Sequence, residues 1–347
     1  MKETNPSHII SFEELYILHK KHFGKDVKSA APLTAHGSNR NIIRLEDESG
    51  NTSIGIINTH IGENKAFISF GKRFLEQGMD VPEVYETSGD LLTYIMEDLG
   101  DTTLLNKITS NQQEFGESET EIYKGVITIL PKFQTQAGEG LDYSLCYQFK
   151  RFDDDNINSD LNYFKEHFLN NFYKKKLSSN SLRNELDFLR YNLLLLPYNY
   201  FLYRDFQSRN IMIKDGKFYF IDFQSGRRGS LLYDIASLLY DARAHIPQQK
   251  REQLLEFYLD ELEKYITVDR DMMKEKFWYF AVIRIMQAMG AYGYLGIVKG
   301  KKNFLESVPY ALRNINYILN EKINTNKLKY IKQIFSELLD ENGNARE

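Results

Sequence analysis

Cysteine occurs once in these 347 residues, at Cys146. A single thiol excludes an intrachain disulfide and suits a reducing compartment. Tryptophan also occurs once. No apolar run approaches the roughly 18 residues that a membrane-spanning helix needs. The opening Met1-Lys2-Glu3-Thr4-Asn5 lacks the build of a signal peptide. Charge of one sign is scarce too: the net charge is −4, which points to neither a nucleic acid nor a membrane surface. There is no internal repeat, Gly/Ser linker or low-complexity tail. These absences lead to the expectation of a cytoplasmic protein with neither a nucleic-acid nor a membrane partner.

Aromatic residues, by contrast, are plentiful. There are 23 Tyr and 23 Phe, which suits a helix-rich core built from rings. Hydrophobic residues make up 42% and charged residues 27%, a soluble globular profile. The length allows one large or two ordinary domains.

The first third alternates short apolar runs with two helical stretches. Ser11 and Glu14 have capping-box spacing ahead of Leu15, Leu18, His19 and Phe23, and the helix should stop at Gly24. His19 and His22 have no third ligand nearby in sequence, so no metal site is expected there. Gly37 and Ser38 form a turn between two strand-like runs, with Arg40 and Arg44 after it. Such a turn lets backbone N–H groups approach phosphate, and the arginines would add charge-assisted bonds. Further strands are expected over 53–58, 81–85 and 91–96, with a helix over 63–78. From 104 onward the pattern is helical, and this shift marks a lobe boundary. The expected class is α+β and bilobal: a small β-rich lobe over 1–96, a hinge over 97–103 and a large helical lobe over 104–347. Within the large lobe, Asp153-Asp154-Asp155 is expected as a solvated loop.

One stretch organises the rest. Residues 201–213 read as strand, loop, strand, with Arg204, Asp205 and Asn210 in the loop. A hairpin at Lys214-Asp215-Gly216 follows, and then an apolar run that ends on Asp222-Phe223-Gln224. Phosphoryl transfer from ATP needs a carboxylate near the attacking hydroxyl and oxygen ligands for magnesium. Asp205, Asn210 and Asp222 supply those groups on adjoining backbone. Each piece alone is weak, since Asp and Asn are ordinary turn residues; the complete string is specific.

These residues resemble the aminoglycoside phosphotransferase/choline kinase family, whose protein-kinase-like fold closes two lobes on ATP. The resemblance runs through Gly37-Ser38-Asn39-Arg40, Glu97-Asp98-Leu99-Gly100, the 204–210 loop, Ile221-Asp222-Phe223 and Tyr233-Asp234-Ile235-Ala236. Within the family the chain looks most like the bacterial anomeric N-acetylmuramate/N-acetylglucosamine kinases, through Arg284, Gln287 and Gly290 with Lys301, Phe304 and Pro309. The resemblance implies Asp205 as general base, and Asn210 and Asp222 as magnesium ligands; Arg204, beside the base, is expected to support the loop rather than react. It places adenine at Met96, Glu97 and Asp98. Tyr203 stands where the family usually has histidine. The run 53–58 lacks the lysine that usually meets the phosphates, and Lys65 and Lys72 fall in the next helix. Alternation along a strand puts 40, 42 and 44 on one face, so Arg40 and Arg44 become the expected phosphate clamp. Asp234 reads as a helix cap or as a brace for the loop.

The expectation is an ATP- and magnesium-dependent kinase of a small hydroxyl substrate, in particular an amino sugar. Aminoglycoside kinases would need an acidic pocket, and choline or ethanolamine kinases an aromatic cage. A catalytically inactive nucleotide-binding module is a further alternative, against which all of Asp205, Asn210 and Asp222 stand.

Overall fold

The structure, a computed structural model, describes residues 12–33, 40–110, 114–173, 175–323 and 326–340. Ser11, Gly37 and Ser38 therefore lie outside the described residues. Helix α1 (Glu13–Phe23) stops where expected: Gly24 takes φ 73° and its N–H bonds to the Lys20 carbonyl at 2.8 Å. Strands β1 (Val27–Leu33), β2 (Asn41–Asp47) and β3 (Thr52–Ile57) come next. They are followed by α2 (Ile61–Glu76), β4 (Val84–Thr87) and β5 (Thr93–Glu97). The strands form one antiparallel sheet in the order β1-β2-β3-β5-β4. Pro32 falls on edge strand β1, where a missing N–H is tolerated. Ile43, Leu45 and Ile95 pack with Leu15 and Leu18 of α1 on one sheet face. The approach is close: a Cβ on Gly55 would lie 2.7 Å from a Leu15 methyl. Ile54, Ile56 and Tyr94 face the opposite way, into the main core.

The sheet ends at Glu97, and α3 (Leu104–Thr109) begins after Thr103, whose hydroxyl oxygen accepts the Asn106 N–H as N-cap. The remainder is mostly helical. It contains α4 (Glu117–Lys132), α5 (Asp154–Phe164), α6 (Asn170–Phe172) and α7 (Ser179–Leu193). Then come β6 (Tyr200–Leu202), β7 (Ile211–Lys214), β8 (Lys217–Phe220) and β9 (Arg227–Gly229). Last are α8 (Leu232–Leu239), α9 (Gln248–Glu263), α10 (Arg270–Gly293), α11 (Val308–Tyr317) and α12 (Lys329–Glu337). The aspartate run corrects the expectation of a solvated loop. Asp153 N-caps α5 by accepting the Asn156 N–H, and Asp154 and Asp155 fill the first turn, where the helix dipole favours acids.

Among the described residues one helical stretch, Arg270–Val298, is long and apolar enough to cross a membrane by length and composition. Its middle is a core element instead. Phe280, Ile283, Met286 and Met289 are fully or almost fully buried, and α10 packs on α5, α8, α7 and α11.

Aromatic rings join the two halves. Phe67 of α2 stacks on Phe223 at 4.7 Å, and Phe74 meets the same ring edge-on at 5.2 Å. Gly71 lets them close, since a Cβ there would sit 3.2 Å from Phe223. The small half is thus docked through α2 onto the residue after Asp222.

Candidate active site

The loop between β6 and β7 is fixed from behind. Asp234, fully buried in α8, accepts the backbone N–H of Tyr203 at 2.8 Å and of Arg204 at 2.9 Å. Its side chain does not cap the helix, whose N-cap is Leu231, so the brace reading holds and the cap reading does not. Burial pushes the Asp234 carboxyl up to about 7, against the pull of its backbone donors and Gln134. Arg204 takes φ 80°, a left-handed backbone that only firm anchoring sustains. Its guanidinium supplies that anchor: Asp160 accepts Nη2 at 2.6 Å and Nη1 at 2.8 Å, and the Tyr233 hydroxyl accepts Nη1 at 2.5 Å. Arg204, expected to support the loop, is buried and turned inward onto Asp160 and Tyr233. The Tyr203 hydroxyl donates to the Ile221 carbonyl at 2.7 Å. It ties this loop to the strand that leads to Asp222.

Beyond that turn Asp205 is half-buried. The Asn210 amide donates to the Asp205 backbone carbonyl at 2.8 Å and lies 3.5 Å from Asp222 Oδ2. Hairpin β7–β8 turns through Asp215 and Gly216 at positive φ and brings the Ile221 N–H to the Asn210 carbonyl at 3.0 Å. Residues 205, 210 and 222 are thereby gathered at one place. Asp222 itself takes φ 67°. Burial would raise its pKa; the Arg40 charge and the Gln224 amide outweigh that and hold it below the usual carboxylate range. Asp222 is therefore ionised at neutral pH.

The small half closes on it. Arg40 Nη2 meets Asp222 Oδ1 at 2.5 Å, with Nε 3.7 Å from Glu63 of α2. Gln224 Nε2 bridges the same two carboxylates at 2.8 and 3.2 Å. Arg44 does not join this cluster, contrary to the expected paired clamp. Its Nε is 2.8 Å from Asp98 and its Nη2 2.9 Å from Asp101. Four residues at a rise of about 3.3 Å separate the two arginines by roughly 13 Å, enough to carry Arg44 to the segment that follows β5. Lys65 and Lys72 are both exposed on α2. At the end of β5 Met96 is half-buried; Lys214 bonds Glu97 at 2.8 Å and the Asp98 carbonyl at 3.0 Å.

A hard divalent cation suits this donor set. Asp222 offers a carboxylate, and Asn210, whose amide nitrogen is turned to Asp205 and Asp222, offers Oδ1. Gln224 Oε1 is buried without a hydrogen-bond partner among the described residues, one more oxygen in need of a donor or cation. No group of three or more His, Cys, Asp or Glu among the described residues could hold an ion by itself. Magnesium commonly completes its shell with phosphate oxygens and water.

Glu63, Gln224, Asp160 and Lys214 were not singled out from sequence as site residues. Glu63 stands in the first turn of α2, yet its pairing with Arg40 has no local signature. The Arg284 region proves largely architectural. Arg284 is buried, donating to Ser237 at 2.8 Å and Gln287 at 2.7 Å. Gly290 lets α10 touch α5, where a Cβ would come 2.7 Å from Tyr163. Phe304 is buried, Lys301 is exposed and Pro309 starts α11.

Comparison with known proteins bears on this geometry. The profile of the phosphotransferase enzyme family matches residues 38–272. An N-acetylmuramate/N-acetylglucosamine kinase of Neisseria meningitidis is 27% identical over 254 residues, covering 69% of this chain and 70% of the relative. An ethanolamine kinase of Plasmodium vivax shares the fold at TM-score 0.60 and 15% identity, covering 85% of this chain and 84% of the other. An aminoglycoside phosphotransferase in ternary complex with ADP and hygromycin B superposes at TM-score 0.58 and 16% identity, covering 90% of this chain and all of the other.

Proposed function

The chain belongs to the phosphotransferase enzyme family, and from that premise we propose that it transfers the γ-phosphoryl group of ATP to a hydroxyl of an amino sugar. The observation that carries the reading is the convergence of Asp205, Asn210 and Asp222 on a loop braced by Asp234 and Asp160. Asp205 accepts or orients the proton of the acceptor hydroxyl. Asn210 and Asp222 would hold magnesium, which would supply positive charge to offset that of the phosphates. Arg40 approaches from the small lobe, and the backbone at 96–98 would take the adenine ring. Arg204 works through the loop it anchors rather than on the substrate.

Charge supports an amino sugar over a cationic acceptor. Arg204, Arg227 and Arg284 are all buried near Tyr233, and Asp160 pairs with Arg204. Among the described residues Arg227 is held by Asn156, Gln148 and the Ser225 carbonyl, and Arg284 by Ser237 and Gln287, all neutral. Buried Arg227, within electrostatic reach of Asp205 and hydrogen-bonded only to neutral groups among the described residues, adds positive charge there and disfavours polycationic aminoglycosides and choline. The name of the Neisseria relative points the same way. The test is ATP consumption with magnesium against N-acetylated sugars, kanamycin-like aminoglycosides and amino alcohols. At least tenfold faster turnover of the amino sugars is expected; the reverse order moves the protein to another substrate class.

A further inference from the structure

Strand β3 brings no lysine to the cleft, yet a cation is already seated there. Arg40 Nη2 lies on Asp222 Oδ1 at 2.5 Å, and its Nε is 3.7 Å from Glu63. The Tyr94 hydroxyl, fully buried on β5, is within its hydrogen-bonding reach. Gln224 occupies the same carboxylate oxygen at 2.8 Å, and the Asn210 amide faces the other at 3.5 Å. Only 14% of the Arg40 side chain is exposed. A divalent cation approaching Oδ1 would meet a guanidinium at contact distance, and two like charges do not share one carboxylate oxygen.

We propose that Arg40 is an exchangeable counter-ion, which holds the metal-binding carboxylate of Asp222 until nucleotide enters and then moves to the phosphates. The proposal rests on reading Asp222 as a metal ligand. Glu63 gives the arginine an anchor on α2 during the exchange, and Gln224 keeps Asp222 oriented through its bond to the same glutamate. A guanidinium suits both positions, since it grips carboxylate and phosphate oxygens alike. The exchange predicts effects of opposite sign. Without Arg40 the bare metal should bind more easily, because its site is vacated. The metal–nucleotide pair should bind less well, because a phosphate partner is gone.

The experiment follows Mn2+ by electron paramagnetic resonance, with Mn2+ alone and with a non-hydrolysable ATP analogue, on the full chain. In R40Q the affinity for Mn2+ alone should rise at least tenfold and that for the Mn2+–analogue pair should fall at least tenfold. R40K, which restores the charge, should return both toward the parent. If R40Q shifts both affinities the same way, or neither, the exchange is overturned. D222N separates the two readings: its addition to R40Q should abolish Mn2+ binding, and retention would show that the metal assignment itself is wrong. The unmodified enzyme gives a check independent of variant folding. Mn2+ alone should bind it at least tenfold more weakly than in the presence of the analogue, and equal affinities would overturn the exchange.

Discussion

The guanidinium of Arg204 and the carboxylate of Asp160 meet through two parallel hydrogen bonds, of 2.6 and 2.8 Å, and both side chains are over nine-tenths buried. Breaking a buried pair from one side leaves a charge without a partner, which costs about 3–5 kcal/mol. Asp160→Ala should therefore lose about that much in denaturant unfolding, and turnover should fall as the loop loosens. A loss below about 1 kcal/mol would mean that Arg204 finds another partner and that Asp160 is not its anchor.

Asp205→Asn tests the base. The substitution keeps size and the backbone carbonyl that Asn210 holds, so nucleotide affinity should stay within about twofold. Turnover should fall by a factor of about a hundred or more, the usual size of general-base effects. Near-parent turnover would remove Asp205 from that role.

Arg44 pairs with Asp98 and Asp101 just beyond β5. Arg44→Ala leaves Asp98, whose side chain is only 7% exposed, without its cation. We expect a stability loss of about 1–3 kcal/mol and a smaller fall in ATP affinity than R40Q shows. Calorimetric titration of ATP into both variants decides it; a larger loss in Arg44→Ala would return that arginine to the phosphates.

Asp234 should give stability a pH dependence of unusual sign for a carboxylate. Its carboxyl is pushed up to about 7 in the fold, from 3.8 when unfolded. Between those values the folded chain holds a proton that the unfolded chain has released. Its contribution is complete below about 3.8 and is lost as the pH rises through about 7, by up to about 1.4 kcal/mol per pH unit. Unfolding free energies at several pH values, compared between the parent and Asp234→Asn, isolate this slope. Identical slopes would show that the two backbone N–H donors keep Asp234 ionised.

Asp205, Asn210 and Asp222 were legible because they lie within 18 residues on one strand–loop–hairpin unit, whose local hydrogen bonds fix their meeting. The stop at Gly24, the turn to helices after the hinge and the bilobal class followed from glycine conformation and periodicity, which are likewise local. Side-chain alternation gave the face of β2 that carries Arg44, but a face has length. Arg40 and Arg44 end at different carboxylates because the strand carries them to different places.

Most of what sets the charge state of the site is non-local. Arg40 and Asp222 are 182 residues apart in sequence, Arg204 and Asp160 are 44 apart, and Asp234 meets the backbone 30 and 31 residues before it. A lone arginine or aspartate in a sequence carries no sign of its partner. Burial decides that a partner is needed, because a buried charge is costly without one, and burial exists only once α2, α5 and α8 have packed around the loop. The sequence by itself determined which groups the loop and hairpin bring together and their order; the tertiary structure alone decided which charges neutralise which, since packing, not adjacency, removes the water between them.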